Sequence, residues 1–141
     1  MSVRPYTAAD HSEWARLRTA LWADQTPADM AAWLTRQDAA TFVAEITAGT
    51  LCGFAEVGAR AFADGCDTQP VAFLEGWYVD VDVRRQGMGS ALLRAVEAWA
   101  RGQGYRELAS DTELANLISQ QAHERLGFAE VERAVRYRKQ L

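Results

Sequence analysis

The chain has 141 residues and a mass of 15.6 kDa, which suits one domain over residues 1–141 with a single hydrophobic core. Hydrophobic residues make up 49% and charged residues 24%, a composition that excludes a disordered chain, a collagen-like repeat and a coiled coil. The net charge of −4 argues against nucleic acid as the main partner.

Cysteine usage and hydropathy point to a cytoplasmic protein that is not embedded in a membrane. Cys52 and Cys66 do not make a disulfide framework, and no C-x-x-C pair is present, so we expect no bound metal. The first residues lack the apolar segment of a signal peptide. No apolar run approaches the ~18–20 residues that cross a membrane.

The first half of the chain alternates strand and helix signals. A short strand is predicted over Val3–Tyr6, and apolar residues at helical spacing follow the capping residue Thr7. Thr26 and Pro27 start a second helix, because Thr is a favoured cap and Pro suits the first helical position. Strand signals on either side of a turn at 47–50 then predict a hairpin, with strands at Thr41–Ile46 and Leu51–Val57.

The second half predicts seven further segments. In chain order they are a loop at Asp64–Pro70, an apolar strand at Val71–Val81, a glycine-rich turn at Arg84–Ser90, a helix ending at Gly102 or Gly104, a strand at Arg106–Ser110, a helix at Leu117–Leu126, and one or two strands within Phe128–Lys139. This order of elements predicts an α/β or α+β sheet domain.

The glycine-rich turn is the most informative stretch. Gly87 and Gly89 let backbone N–H groups approach a ligand, and the helix that follows presents its positive end. Arg84 and Arg85 add charge that complements phosphate, so the turn predicts a pyrophosphate cradle. It lacks the Lys of a Walker A loop, and Leu92 stands where a dinucleotide fingerprint needs its third glycine. The alternative is a helix start with incidental glycines.

Two motifs make the sequence similar to a known family. Residues 84–89 (RRQGMG) match the R/Q-x-x-G-x-G/A signature of the Gcn5-related N-acetyltransferases, which bind acetyl-CoA. Asn116 and the segment Ala122–Phe128 resemble that family's closing helix. The resemblance covers nearly the whole chain and implies the acetyltransferase (GNAT) fold: a mixed, mostly antiparallel central sheet flanked by helices.

Longer blocks resemble a narrower group, the chromosomally encoded aminoglycoside 6′-N-acetyltransferases. These blocks are Phe73–Val79, Glu107–Thr112 and His123–Phe128, and Trp22 also fits. The resemblance implies direct transfer of an acetyl group from acetyl-CoA to the 6′-amine of an aminoglycoside in a ternary complex, and hence antibiotic resistance. It also implies a homodimer.

Acetyl-CoA is expected along the apolar strand, the glycine-rich turn and the closing helix. As the family resemblance implies, the strand pairs with the peptide-like pantetheine arm and supplies N–H groups to the oxyanion. The expected donor-binding residues are Val79, Val81, Arg84, Arg85, Gln86, Gly87, Met88, Gly89, Ser90, Asn116, Ser119 and His123.

Three residues are candidates for proton transfer. Asp111 ends a short strand, and the resemblance makes it the acceptor of the amine proton; the alternative is a helix cap or an Asx-turn. Glu75 is a second candidate base, since burial in an apolar strand makes a carboxylate a stronger proton acceptor. The alternative is that Glu75 faces outward. His123 stands where many family members place the acid that protonates the thiolate, and the alternative is a polar contact to the donor.

The acceptor site is predicted from charge and aromatic residues. Residues 56–82 contain six acids and one Arg, whereas residues 84–106 contain five Arg and one acid. This division suits a polycationic acceptor beside a phosphate-bearing donor, and a polyamine fits it as well as an aminoglycoside. The expected acceptor-binding residues are Trp22, Phe62, Asp67, Glu75, Asp111 and Glu132, although Asp67 and Glu132 also suit a solvated loop and a solvated strand.

Two competing functions follow from the same residues. The first is N-acetylation of another acceptor, namely a polyamine, an amino acid or a protein amine. The second is a non-catalytic module that binds acyl-CoA. An intact glycine-rich turn suits all three functions, and a usable proton acceptor favours catalysis over simple binding.

Overall fold

The computed structural model describes all 141 residues and contains one five-stranded sheet in the order β1-β2-β3-β4-β5. Neighbouring strands from β1 to β4 are antiparallel, and β5 is parallel to β4, which confirms the mixed, mostly antiparallel sheet. The strands are β1 (Ser2–Pro5), β2 (Ala39–Thr47), β3 (Thr50–Arg60), β4 (Val71–Val79) and β5 (Leu108–Ser110).

Four helices flank the sheet, and their starts follow the capping signals in the sequence. Thr26 and Asp29 form a reciprocal capping box with Pro27 inside the first turn, as that sequence predicts. Thr7 caps a single 3₁₀ turn that leads into the first helix. The helices are α1 (His11–Leu21), α2 (Pro27–Leu34), α3 (Met88–Gly102) and α4 (Leu117–Arg125).

The core lies on both faces of the sheet. Helix α3 packs an apolar stripe against one face, with Leu92 and Val96 fully buried. Helix α1 buries Trp14 and Leu17 on the other face, around Phe54 of β3. Each fully buried side chain of this size contributes about 1.5–3 kcal/mol, so these two layers hold the sheet in place.

Two irregularities in the sheet position the candidate site. The β3–β4 register shifts between Glu56 and Val57, opposite the stretch from Leu74 to Gly76. The β4–β5 pairing stops at Leu74 and Ser110, yet β4 continues to Val79. The strands therefore part, and the last residues of β4 pair with β3 alone.

The predicted final strands are wrong for the isolated chain. No helix or strand follows Arg125, and residues 129–141, here called the C-terminal arm, make no backbone hydrogen bond to the sheet. A strand needs a partner for its N–H and C=O groups, so strand-like composition alone does not create one. Elsewhere in the molecule, none of the helices has the length and apolarity that a membrane span requires.

Candidate active site

The parting of β4 and β5 places two carboxylates at the mouth of a gap. Leu74 and Ser110 form the last strand pair, and Glu75 and Asp111 are the next residues on each side. Beyond this point the free edge of β4 presents backbone groups that no strand satisfies. The gap thus combines open backbone donors with acidic side chains.

Glu75 is held by an arginine that the sequence reasoning did not single out. Arg60 donates to both oxygens of Glu75, with Nε–Oε2 at 2.8 Å and Nη2–Oε1 at 2.7 Å, and it also lies 3.5 Å over the Phe73 ring. The side chain of Glu75 is 22% exposed, so it is partly buried, between the burial suggested by its apolar strand and the outward-facing alternative. Both oxygens are engaged, and Glu75 is therefore a poor free base.

Asp111 is the available carboxylate at this gap. It is exposed, and its side chain makes no hydrogen bond, so the alternative of a helix cap or an Asx-turn does not apply. Glu75, and beyond it Asp111, raise the pKa of the Arg60 guanidinium above its ordinary value. The charge of Arg60 therefore interacts with both carboxylates.

His123 sits between aromatic rings where the strands part. Its Nδ1 lies 2.7 Å from the backbone carbonyl of Ser119, and its Nε2 lies 2.8 Å from the Ser110 hydroxyl. A carbonyl only accepts, so Nδ1 carries a proton, and Nε2 of the neutral ring is the acceptor for Ser110. The rings of Trp77 and Phe128 pack edge-on against it at 5.3 and 5.0 Å.

The glycine-rich turn has the geometry of an open cradle. Gly87 precedes α3 with φ +88°, and a Cβ added there would meet no atom within 4 Å. The first N–H groups of α3 lack intrahelical partners, as at any helix start, and they directly follow this open position. The space and the donors fit a pyrophosphate.

The two arginines of the turn differ in their surroundings. Arg84 folds back, its Nε donating to the Val79 carbonyl at 2.8 Å and its guanidinium lying 5.6 Å from the Tyr78 ring. Arg84 therefore fixes the turn to β4. The sequence predicted only a charge that complements phosphate at this position. Arg85 has φ +63°, is exposed and forms no ion pair within the chain. Arg85 is the freer of the two cations.

The remaining donor-binding candidates lie at the start of α4, at the end of β4 and in the turn that leads into α3. Asn116 caps α4, with Oδ1 accepting the Ser119 N–H at 3.1 Å, so its amide nitrogen is the part left for a ligand. Val79 is nearly buried at the end of β4, whereas Val81 is exposed beside the turn. The residues that complete the turn, all at least partly exposed, are Gln86, Met88, Gly89 and Ser90.

A polar pocket of about 400 Å³ opens between α1, α2 and the sheet. Two predicted acceptor residues, Trp22 and Glu75, line it. Its ionisable groups are four carboxylates and two guanidiniums, so its wall carries an acidic excess that suits a cationic ligand. The lining residues not predicted from the sequence are Arg18, Asp24, Gln25, Asp29, Trp33, Arg36 and Glu56.

Four predicted acceptor residues lie outside this pocket, and one of them, Asp111, lies at the gap instead. Phe62 is 62% exposed on the loop after β3, and Asp67 is exposed with its backbone N–H bonded to Glu107. Glu132 is on the exposed C-terminal arm. The acids of residues 56–82 do not all face one site. Asp80, for example, forms an ion pair with Arg16 at 3.0 Å on the outside of α1.

The functional candidates missed from the sequence had weak signals. Ser110 directly precedes Asp111 at a strand end, which is a place where polar residues gather. Arg18 falls one turn after Trp14 on the buried side of α1, and Glu56 interrupts the apolar run of β3. A charged residue inside an apolar pattern was the signal that was available.

The fold and the gap define an acetyltransferase. Residues 8–128 match the model of the acetyltransferase (GNAT) family, so the chain belongs to that family. This agrees with the sequence resemblance and with the observed sheet.

Relatives and solved structures narrow the class. The chain is 43% identical to the aminoglycoside N(6′)-acetyltransferase type 1 of Klebsiella aerogenes, over 99% of this chain and 96% of that protein. It superposes on the apo aminoglycoside 6′-N-acetyltransferase of Acinetobacter haemolyticus with a TM-score of 0.91 and 34% identity, covering 100% and 99% of the two chains. It matches AAC(6′)-Iy in complex with the bisubstrate analog CoA-S-monomethyl-acetylneamine with a TM-score of 0.90 and 37% identity, covering 99% and 98%.

Proposed function

We propose that this single-domain protein transfers the acetyl group of acetyl-CoA to the 6′-amine of an aminoglycoside, by direct attack in a ternary complex, and so confers resistance. The observation that carries this proposal is the gap after Leu74 and Ser110, which lies between the glycine-rich turn and the acidic pocket. Donor and acceptor would thus meet from opposite sides. The relatives act on this class of acceptor, and a neighbouring structure holds a CoA–acetylneamine conjugate.

Donor binding rests on backbone groups more than on side chains. The pyrophosphate would lie at the start of α3 on the N–H groups around Gly87 and Gly89, with Arg85 adding charge. The pantetheine amides would pair with the free edge of β4 near Val79 and Val81, and Asn116 and Ser119 would flank it. A backbone N–H of β4 would stabilise the oxyanion.

Asp111 serves the attacking nitrogen. A 6′-ammonium gives one proton to the Asp111 carboxylate, directly or through water, and the freed lone pair forms the new C–N bond at the thioester carbon. Collapse of the tetrahedral adduct breaks the C–S bond and releases the thiolate, and the nitrogen loses its second proton to solvent. Glu75, fixed by Arg60, would orient the acceptor rather than take the proton.

His123 and Ser110 serve the leaving sulfur. With both ring nitrogens protonated, His123 Nε2–H donates to Ser110 Oγ, and the serine hydroxyl passes its own proton to the thiolate. The chain of contacts rests on the 2.8 Å separation of Nε2 and Oγ. Thiolates of ordinary basicity leave without much help, so this step adds a modest factor.

The decisive experiment is turnover of acetyl-CoA, followed by thiol release, against aminoglycosides with and without a 6′-amine. Spermidine-like polyamines, amino acids and peptides complete the panel. We expect turnover only with acceptors that carry a 6′-amine. Turnover confined to polyamines would show that the acceptor is a polyamine and not an aminoglycoside. Binding of acetyl-CoA without any turnover would show that the protein is a non-catalytic module.

The active form is proposed to be a cytoplasmic homodimer. Its support is the C-terminal arm, where Val131, Val135 and Tyr137 are 64%, 71% and 92% exposed although their composition is strand-like. The outer edge of β5 pairs with nothing within the chain, and a second copy's arm would complete it. Cys52 and Cys66 are unpaired thiols, which suits a reducing compartment.

A further inference from the structure

Unsatisfied polar atoms gather in the polar pocket between α1, α2 and the sheet, where the acceptor is proposed to bind; Arg18 and Glu56 form what is here called the pocket floor. Four buried side-chain atoms of the molecule lack a hydrogen-bond partner: Arg18 Nε and Nη1, Gln25 Oε1 and Glu56 Oε1. All three residues line the pocket, and Arg18 and Glu56 are only 6% and 1% exposed. Each buried group left unpaired costs about 1–3 kcal/mol, so their gathering at one place indicates a role in the site.

Arg18 is the centre of this floor. Its guanidinium carbon lies 5.1 Å from the Trp14 ring and 5.0 Å from the Trp22 ring, so it is sandwiched between two indoles. Its Nη1 lies 3.3 Å from Glu56 Oε2, and the indole N–H of Trp14 donates to the same oxygen at 3.0 Å. Glu56 Oε2 is thus held by the Trp14 indole as the ion-pair partner of the guanidinium that lies between the two rings.

Trp22 depends on this support for its orientation. Its indole N–H makes no hydrogen bond within the chain, so packing alone sets the ring. The ring meets Phe54 edge-on at 6.0 Å and lies so close to Gly76 that a Cβ there would approach it to 2.6 Å. Gly76 is next to Glu75, so the ring forms the pocket wall beside the reaction gap.

Stability does not account for a buried ion pair at this position. Well-packed apolar residues of similar size are often as stabilising as a buried pair, because desolvation offsets the attraction. Burial raises the pKa of Glu56 to about 7, and Glu75 adds to this effect, whereas Arg18 and Trp14 oppose it. The other charged groups on the pocket wall are Asp24, Asp29 and Arg36.

We propose that the Arg18–Glu56 pair is a positioning unit that sets acceptor affinity: it holds Trp22 as the pocket wall and keeps the pocket floor electrically neutral beneath a polycationic acceptor. This inference rests on the proposed function. A proton on Glu56 leaves the Arg18 charge uncompensated below the acceptor and removes the fixed partner of the guanidinium. Acceptor binding therefore weakens when Glu56 is protonated, whereas donor binding on the far side of the gap is unaffected.

The test is Glu56→Gln, which has the shape of the protonated residue at every pH. We expect the acceptor KM of the wild type to rise about tenfold from about pH 8 to about pH 6. The Glu56→Gln variant is expected to show the higher KM at both pH values, with kcat and the KM for acetyl-CoA within about twofold. Calorimetric titration of the acceptor gives the same comparison without turnover.

The control is Asp10→Asn, which also neutralises a buried carboxylate paired with an arginine, but away from the pocket. It is expected to keep the wild-type acceptor KM and its pH dependence. An acceptor KM of Glu56→Gln that follows the wild-type pH profile would overturn the proposal while leaving the 6′-acetylation intact. Should that variant not fold, a flat acceptor KM of the wild type between the two pH values would overturn it equally. Absence of aminoglycoside turnover in the wild type would instead overturn the proposed function.

Discussion

The Nε2 atom of His123 lies 2.8 Å from the hydroxyl of Ser110, on the strand end that also carries Asp111. Because Nδ1 is held by the Ser119 carbonyl, Nε2 is the ring nitrogen that contacts the serine, so the proposed proton transfer would run through Ser110. This contact defines the route by which the proposed proton transfer from His123 would run, and its place in a helix does not reveal it.

Ser110→Ala and His123→Phe should lower kcat with little effect on either KM. His123→Phe keeps a ring between Trp77 and Phe128 but removes the proton carrier, and we expect a loss of about three- to tenfold, since a thiolate needs only modest help. Steady-state kinetics over a pH series measures the effect. His11→Gln is the matched control, because the other histidine contacts Tyr6 and Trp14 at the far end of α1. An unchanged kcat in both variants would leave His123 as a packing residue.

Asp111→Asn should lower kcat by about a hundredfold or more while the KM for acetyl-CoA stays within about twofold. The reason is that Asp111 is the exposed carboxylate at the gap with free oxygens, whereas Glu75 has both oxygens on Arg60. Thiol release at saturating acceptor gives kcat directly. Asp64→Asn, which neutralises an exposed loop acid, should behave as the wild type. A kcat of Asp111→Asn near that of the wild type would remove this residue from the role of base.

Much of the fold follows from local rules, and the site follows only in part. Thr26 with Pro27, the turn at Gly49 and the glycine before α3 each dictate their local conformation, so the elements around them were predictable. Arg60 and Arg18 were not, because their partners, Glu75 and Glu56, are 15 and 38 residues away and meet them only through strand register and helix packing. The C-terminal arm illustrates the converse: its composition favours a strand, but pairing is a tertiary property.

Gly87→Ala should raise the KM for acetyl-CoA by about tenfold. Gly87 has φ +88°, where a side chain costs roughly 1–2 kcal/mol, and relaxation of that strain would move the N–H groups of the cradle. Gly104→Ala is a close control, since Gly104 has φ +90°, is equally open and lies beyond the other end of α3. Both variants should lose similar thermal stability, and only Gly87→Ala should lose donor affinity. Equal KM values for the two would contradict the cradle.

Glu56 should make the protein less stable as pH rises from about 5 to about 8. The unfolded carboxyl ionises near its ordinary pKa of 4.5, whereas burial raises the pKa of the folded one to about 7, so within this window the unfolded state binds fewer protons and is favoured. Glu56→Gln should remove this slope, which amounts to about 1–3 kcal/mol of unfolding free energy. Urea unfolding at several pH values measures it.

Asp10 provides the opposite case for comparison. Hydrogen bonds from Arg4 lower the pKa of Asp10 to about 2, so its contribution is complete above about pH 4 and is lost as pH falls through about 2. Asp10→Asn should therefore lose a constant amount between pH 5 and pH 8 and run parallel to the wild type. A wild-type profile that is also parallel to Glu56→Gln would show that Glu56 does not titrate in this window.

The double change Val135→Asp and Tyr137→Asp should convert the proposed homodimer to a monomer. These side chains are 71% and 92% exposed on an arm that makes no backbone hydrogen bond to the sheet of its own chain. The outer edge of β5 is open and could pair with the arm of a second copy. Two added charges oppose burial of the arm against another subunit, each at a cost of several kcal/mol. Sedimentation velocity compares the masses, and Leu114→Asp, at an exposed apolar residue outside the arm, is the control. A wild type that sediments as a monomer, or a double variant that remains dimeric, would exclude the arm as the dimer contact.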